Sequence, residues 1–283
     1  MTTIVDGDIA LLTGGARGMA YGLASKFLKD GGKVIIVDIN QKALDEAEKE
    51  LKKEGTVYAY KCDIGSCDDI HELADKVHND VGLIDILVNA AGYVTYGGTK
   101  FLDQPEETYK KTIDINVMGI MWMTRAFLPD LIKKRRGHVI NFASSAGLLG
   151  VPLLATYCAS KHAVIGFTES IEHEMSMDGL MDVRLSAVCP LVVETGMFKG
   201  LVTGPIHGVT TENAVEIIYN GMRENRSMIG VPPYISAAII SKLIDKPILY
   251  KLLKAVGMDL ADWTVGLTGR LPSGKVRYEP EKE

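Results

Sequence analysis

The feature that most constrains the fold is a regular alternation of short β-branched runs with longer segments of helical periodicity. Several of the strand-like runs are apolar throughout, as expected for parallel strands covered on both faces. Predicted strands cover residues 9–13, 33–37, 57–61, 84–88, 137–142, 183–188 and 227–231, and predicted helices cover 18–30, 41–53, 67–81, 106–134, 155–177 and 211–225. This alternation predicts an α/β fold with a doubly wound parallel sheet, whose ligands bind at the carboxyl ends of the strands.

The pattern changes after the last predicted strand, which Pro232 and Pro233 end. Residues 234–256 carry apolar side chains at helical spacing, interrupted by Pro247. We therefore interpret residues 1–231 as one domain and residues 232–283 as a C-terminal helical extension that is not an independent domain. Because this extension also contains several lysines, it can lie on a membrane surface, or it can pack over a pocket or a neighbouring subunit.

Composition excludes several classes of function. The formal net charge of −5 argues against a nucleic-acid partner, and the six histidines show no ligand spacing, so we expect no metal site. The four cysteines form no CxxC pair and no secretory leader precedes Ile4, which predicts free thiols in the cytoplasm. No apolar run reaches the length that a membrane-spanning helix needs.

A glycine-rich turn joins the first predicted strand to the first predicted helix, and it contains Gly14, Arg17, Gly18 and Met19. Such a turn lets the backbone approach a pyrophosphate, and the helix N-terminus attracts the negative charge. Ala20 stands where a third glycine would allow the closest contact between helix and strand, and we expect its methyl group to be tolerated. The turn predicts that residues 1–231 form a dinucleotide-binding domain of the Rossmann type.

An acidic residue, Asp38, ends the second predicted strand. A carboxylate there accepts hydrogen bonds from both hydroxyls of an adenosine ribose and repels a 2′-phosphate. Arg17 favours NADP instead, because a guanidinium can bind a 2′-phosphate. Asp38 can also be a simple helix cap without a role in cofactor binding. We expect the direct carboxylate contact to dominate, so the predicted cofactor is NAD, with NADP as the alternative.

Two further strand ends are expected at the same cleft. After the third strand, Asp63 and Ile64 are placed to contact the adenine amino group and ring. After the fourth strand, Asn89 and Gly92 lie in a turn of small residues that lets the backbone meet the adenosine. Taken singly, each segment is typical of a turn; their positions at successive strand ends favour a shared binding site.

A tyrosine and a lysine lie four residues apart in the predicted helix over 155–177, so Tyr157 and Lys161 share one helix face. The ordinary pKa of a phenol is about 10, and nearby positive charge favours the phenolate, which makes Tyr157 a candidate acid and base. Thirteen residues earlier, Ser144 follows a strand and can hold a substrate oxygen opposite the phenol. Ser145 is the rival for this role.

At these motifs the sequence resembles the short-chain dehydrogenase/reductase family, over about residues 7–200 and more weakly to about 231. The resemblance implies that Tyr157 exchanges the proton, that Lys161 lowers its pKa and holds the nicotinamide ribose, and that Ser144 orients the substrate oxygen. It also implies that Asn116 anchors a water in the proton relay. By the same resemblance Val193 and Thr195 contact the cofactor. The sequence departs from the family at one position, because Leu191 replaces the glycine that usually follows the proline at 190.

The resulting hypothesis is an oxidoreductase that moves a hydride between NAD(H) and a secondary alcohol or ketone. Residues 93–102, 148–154 and 198–208 are rich in apolar side chains, which favours a small steroid-like or lipid-like substrate, unless they pack a lid or a subunit interface. One alternative is a non-catalytic nucleotide sensor, and another is a membrane-associated lipid ketone reductase that uses NADPH. The long helices and the family resemblance predict a homo-oligomer, a tetramer or a dimer.

Overall fold

The computed structural model describes residues 7–94, 100–193 and 208–236. Its seven parallel strands form one sheet in the order β3-β2-β1-β4-β5-β6-β7. The strands are β1 (Ile9–Thr13), β2 (Lys33–Asp38), β3 (Val57–Lys61), β4 (Ile86–Asn89), β5 (Gly137–Phe142), β6 (Val183–Pro190) and β7 (Met228–Val231). The strand order changes direction between β1 and β4, which opens a crevice at their carboxyl ends. The predicted fold class is confirmed.

Seven α-helices of the described residues cover the two faces of this sheet. They are α1 (Gly18–Lys29), α2 (Gln41–Leu51), α3 (Cys67–Asp80), α4 (Glu106–Ile113), α5 (Gly119–Lys134), α6 (Ala155–Met177) and α7 (Thr211–Arg223). Helices α1, α2 and α7 pack on one face, around Phe27. Helices α3, α5 and α6 pack on the other, around Phe127. Ligands at the carboxyl edge of the sheet therefore lie between two helical layers.

The helix predicted over residues 106–134 is interrupted. Between α4 and α5 the chain forms a π-helical turn over Asp114–Met118. Such turns insert one extra residue and are frequent at functional sites. Asn116 lies in this turn and is fully buried, so the interruption falls on a residue that the family resemblance marks as functional.

The amino-terminal edge of the sheet is closed by buried ion pairs. The carboxylates of Asp8 and Asp85 are both buried, and Arg136 contacts each of them at 2.8 and 3.0 Å. Lys134 adds a second contact to Asp85 at 2.8 Å. Removing one partner of such a network would leave a buried charge unpaired. The ion pairs stabilise the amino-terminal edge of the sheet, and the cleft lies at the opposite, carboxyl-terminal edge.

The C-terminal boundary that we predicted falls near the end of the described residues. The chain follows β7 into a short turn at residues 233–236, and the extension beyond residue 236 lies outside the described residues. Within the described part, no helix is long and apolar enough to cross a bilayer.

Candidate active site

A cleft of about 490 Å³ opens at the carboxyl ends of the central strands, a size typical of ligand pockets. It brings together most of the residues that the sequence singled out. Those lining it are Gly14, Arg17, Gly18, Met19, Asp38, Asp63, Ile64, Gly92, Ser144, Tyr157, Lys161 and Val193. Thr195 lies outside the described residues.

The glycine turn is built for close approach of the backbone. Gly14 has a φ of +66°, and a Cβ atom on it would lie 3.0 Å from the Cα of Ala91. Helix α1 follows with Arg17 as its N-cap, and no side chain caps its first amides. Helices α4 and α6 also lack a side-chain cap, whereas α2, α3 and α7 have one. What sets α1 apart is that it begins in the glycine turn that lines the cleft. The open amides of α1 suit a phosphate group.

The carboxylate of Asp38 stands at the end of β2, where a ribose-binding group is expected. One oxygen accepts a hydrogen bond from the backbone amide of Asn40 at 3.0 Å, and no described cation pairs with it. The next residue, Ile39, lines the cleft and is 58% exposed, which leaves an apolar surface beside the carboxylate. Asp63 also lines the cleft, and it accepts a hydrogen bond from the amide of Gly65 at 2.9 Å.

Asn89 does not bring its side chain to the cleft. The side chain is buried, and its Nδ2 donates to Oδ1 of Asn141 at 2.9 Å and to the hydroxyl of Thr124 at 3.3 Å. It therefore joins β4 to β5 and α5 instead of contacting a ligand. The turn that follows is shaped by Thr13, whose hydroxyl accepts hydrogen bonds from the amides of Ala90 and Ala91, both at 3.1 Å.

The side chain of Asn116 is occupied by protein contacts. Its Oδ1 accepts from the amide of Tyr93 at 2.7 Å, and its Nδ2 donates to the carbonyl of Tyr93 at 2.8 Å and to the hydroxyl of Ser160 at 3.1 Å. Ser160 in turn donates to the carbonyl of Tyr157 at 2.7 Å. Asn116 thus connects the loop after β4 to the catalytic helix, and both hydrogens of its amide are used.

Tyr157 and Lys161 face the cleft from the first turns of α6. Lys161 Nζ lies 5.7 Å from the centre of the Tyr157 ring and donates to the carbonyl of Phe142 at 2.8 Å. Burial lowers the pKa of Lys161 to about 8, an effect that Cys189 opposes. A Cβ atom on Gly92 would lie 3.6 Å from this Nζ, an ordinary van der Waals distance, so Gly92 and Lys161 are neighbours at this end of the cleft.

The phenol of Tyr157 differs from the expectation in one respect. Burial raises its pKa to about 12, and a hydrogen bond with the hydroxyl of Ser144 opposes this rise. The resemblance implied that Lys161 lowers the pKa of Tyr157, but in this structure the ammonium group of Lys161 donates its hydrogen bond to the carbonyl of Phe142. Positive charge from a bound oxidised cofactor would favour the phenolate.

Comparison with known proteins gives the family. The short chain dehydrogenase model matches residues 8–206, most of the chain. The chain belongs to the short-chain dehydrogenase/reductase family. It is 35% identical to epidermal retinol dehydrogenase 2 of Mus musculus over 94% of this chain and 87% of that protein. It is 36% identical to estradiol 17-beta-dehydrogenase 11 of Rattus norvegicus over 81% of this chain and 76% of that protein.

Solved structures agree with the fold of this dehydrogenase/reductase. A short-chain dehydrogenase/reductase from Burkholderia phymatum in complex with NAD matches with a TM-score of 0.77 and 24% identity, over 91% of this chain and 98% of that one. A short-chain dehydrogenase from Sphingobium yanoikuyae in complex with NADPH gives a TM-score of 0.72 and 21% identity, over 89% and 96%. Both NAD and NADPH therefore occur among such structures. The open amides of α1 and the carboxylate of Asp38 fit such a dinucleotide.

Several residues of this dehydrogenase/reductase site were not marked by sequence reasoning. Ser160 lies inside the motif of Tyr157 and Lys161, at a position where the motif specifies no residue type. Lys111 lines the cleft as well, and so does Tyr93, which the sequence indicated only as the first residue of the apolar segment 93–102. Tyr93 could be recognised only by its position after the end of β4, and Lys111 only by its position one helical turn before Ile115. An exposed lysine on a helix is usually a solvated surface residue, so its sequence position alone does not indicate a binding role.

Proposed function

We propose that this oxidoreductase interconverts an apolar, steroid-like or lipid-like alcohol and its carbonyl compound with NAD(H). The observation that carries the proposal is the apolar surface that adjoins Ser144 and Tyr157. The group of Ser144, Tyr157 and Lys161 distinguishes this proposal from a nucleotide sensor, since a sensor has no need of these three side chains.

Tyr157, Ser144 and Lys161 have different roles in the proposed reaction. In alcohol oxidation the phenolate of Tyr157 takes the proton of the substrate hydroxyl, and in the reverse reaction its hydroxyl donates a proton to the carbonyl oxygen. Ser144 holds this oxygen by a hydrogen bond. Lys161 Nζ donates to the carbonyl of Phe142, and its charge would favour the phenolate once the ammonium group turned toward the phenol. When bound, the nicotinamide ring accepts or supplies the hydride.

The walls near these groups support an apolar substrate. Ser144 Oγ lies 3.5 Å from the carbonyl oxygen of Pro190, and the following Leu191 lines the cleft and packs against a cluster that includes Leu148. On the other side, Tyr157 packs against a cluster that includes Val94. Leu191 thus extends the apolar wall where the family usually has glycine. Among the described residues that line the cleft beside Ser144 and Tyr157, Lys161 is the one with a charged side chain.

The substrate class is tested by direct comparison of alcohols. Purified protein is supplied with NAD and with retinol, estradiol, a hydroxy acid or a sugar alcohol, and formation of NADH is followed by absorbance. We expect kcat/KM for the apolar alcohols to exceed that for the polar ones by about 100-fold, because a polar substrate must be desolvated against an apolar wall. Turnover that is confined to the hydroxy acid or the sugar alcohol would contradict the proposal.

The preference for NAD over NADP is proposed to depend on Asp38. We expect Asp38→Ser to raise the ratio of kcat/KM for NADP to that for NAD by at least about tenfold. The change removes a ribose hydrogen bond and the repulsion of a 2′-phosphate. Asp45→Ser is the matched control, since Asp45 lies on α2 and bonds to Gln41 at 2.6 Å. A wild-type protein that prefers NADP would refute the assignment.

The location and the assembly state remain predictions. A cytoplasmic homo-oligomer agrees with the four free cysteines and with the exposed apolar side chains of Ile132 and Met177 on α5 and α6. The lysine-containing segment that suggested a membrane surface lies almost entirely outside the described residues.

A further inference from the structure

Lys111 is a cation on the wall of the cleft to which the mechanism assigns no task. It is exposed on α4 and lines the cleft. Its Nζ lies 4.7 Å from the centre of the Tyr93 ring, a distance typical of a cation–π contact. The backbone of Tyr93 is held in turn by Asn116, which accepts a hydrogen bond from its amide and donates one to its carbonyl. The ammonium group therefore has a preferred position at the rim.

The adjacent lysine shows that this placement is specific to Lys111. Lys110 points away and forms an ion pair with Asp114, one turn further along the chain. Lys111 forms no ion pair with any described residue, so its charge is available to a ligand. Two neighbouring lysines of equal charge thus differ in whether they face the cleft.

Lys111 lies on the wall opposite the glycine turn. That turn leads into α1, which packs on one face of the sheet, whereas α4 leads through the π-helical turn into α5 on the other face. A ligand in the cleft therefore has the open amides of α1 on one side and Lys111 on the other.

The position along the cleft indicates which part of a dinucleotide Lys111 meets. Ile115, one helical turn later, approaches Gly65 and so borders the adenine end near Asp63 and Ile64. Tyr93 directly follows Gly92, which adjoins Lys161 at the nicotinamide end. Lys111 thus neighbours a residue of each end, and the phosphates of an extended dinucleotide lie between its two ends.

The charges of the cleft are consistent with this position. The carboxylates of Asp38 and Asp63 line the adenosine end, and Lys161 is buried at the nicotinamide end with a hydrogen bond to Phe142. A pyrophosphate brings two negative charges to the middle. Of the described lining residues, Arg17 and Lys111 are the cations left to meet them.

We infer that Lys111, held against the ring of Tyr93, binds the pyrophosphate of the dinucleotide from the wall opposite the glycine turn. This inference rests on the proposed use of a nicotinamide dinucleotide and adds a binding residue to it. The contact closes the phosphate site on its open side, because the backbone amides of α1 reach the pyrophosphate from one direction only.

The test measures nucleotide binding without turnover. Dissociation constants for NADH are determined from the fluorescence of the nicotinamide, for the wild type, Lys111→Gln, Lys111→Arg and the matched control Lys110→Gln. We expect Lys111→Gln to raise Kd about tenfold, as the loss of one charge-assisted hydrogen bond requires. Lys110→Gln is expected to change Kd less than about twofold, since exposed ion pairs contribute little. Lys111→Arg is expected to keep most of the affinity.

Competition assays identify the group that Lys111 contacts. Adenosine and ADP compete with NADH, and the loss caused by Lys111→Gln should appear with ADP and be absent with adenosine, which has no phosphate. Equal Kd values for Lys111→Gln and Lys110→Gln, or equal losses for ADP and adenosine, would overturn the role of Lys111 and leave the proposed function standing. A wild-type protein that binds neither NADH nor NADPH would overturn the proposed function together with this inference.

Discussion

Replacing Tyr157 with phenylalanine is expected to lower kcat by about 1,000-fold, the middle of the 100- to 10,000-fold range that general acid–base catalysis typically contributes. The ring remains and only the hydroxyl that exchanges the proton is lost, so packing against the cluster around Val94 is retained. The Kd for NADH should stay within about twofold of the wild-type value. Initial rates of alcohol oxidation and fluorescence titration with NADH measure the two quantities.

The dependence on pH gives this prediction a second readout. Because burial raises the pKa of Tyr157 to about 12 before cofactor binds, the phenolate needed for alcohol oxidation becomes more populated as pH rises. Wild-type oxidation rates should therefore increase from about pH 6 to about pH 9, and Tyr157→Phe should abolish this increase. Tyr58→Phe is the control, since Tyr58 lies on β3 away from the cleft. A Tyr157→Phe protein with wild-type rates and the same pH profile would eliminate Tyr157 as the acid and base.

The sequence allowed the fold to be predicted because its physical signal is repeated many times. Each apolar run must be covered on both faces, and each following helix supplies cover, so the alternation specifies a doubly wound sheet. The carboxyl ends of the strands then define where Asp38, Ser144 and the glycine turn meet. These residues could be assigned to one cleft without knowledge of any side-chain contact.

Other features could not be predicted because they depend on long-range contacts. The π-helical turn at Asp114–Met118 adds one residue to a helix, and apolar periodicity is too coarse to detect such an addition. Asn89 and Asn116 are both asparagines near the cleft, yet one joins β4 to β5 and the other connects Tyr93 to Ser160. Only the three-dimensional arrangement distinguishes them. The same holds for Lys111, which has the same local sequence character as Lys110.

The loop that carries Ser144 is positioned by a glycine packed against the catalytic helix. Gly147 lies in a short 3₁₀ turn over Ser145–Gly147. A Cβ atom on it would lie 2.6 Å from the carbonyl oxygen of Lys161 and 2.9 Å from Cδ1 of Ile165. The carbonyl belongs to the backbone of α6 and cannot turn aside, so the turn itself must move. Ser144 moves with it, because its backbone carbonyl accepts a hydrogen bond from the amide of Gly147 at 2.8 Å.

Gly147→Ala is therefore expected to separate Ser144 from Tyr157 and to lower kcat/KM by about 100-fold, the effect of a displacement of about 1 Å in a catalytic group. Overpacking should also reduce the free energy of unfolding by about 1–3 kcal/mol. Gly150→Ala in the same loop is the matched control, because a Cβ atom there meets nothing within 4 Å. An unchanged Kd for NADH would show that the dinucleotide half of the site is intact. If Gly147→Ala matched Gly150→Ala in both kcat/KM and urea unfolding, close packing of this turn on α6 would not be what positions Ser144.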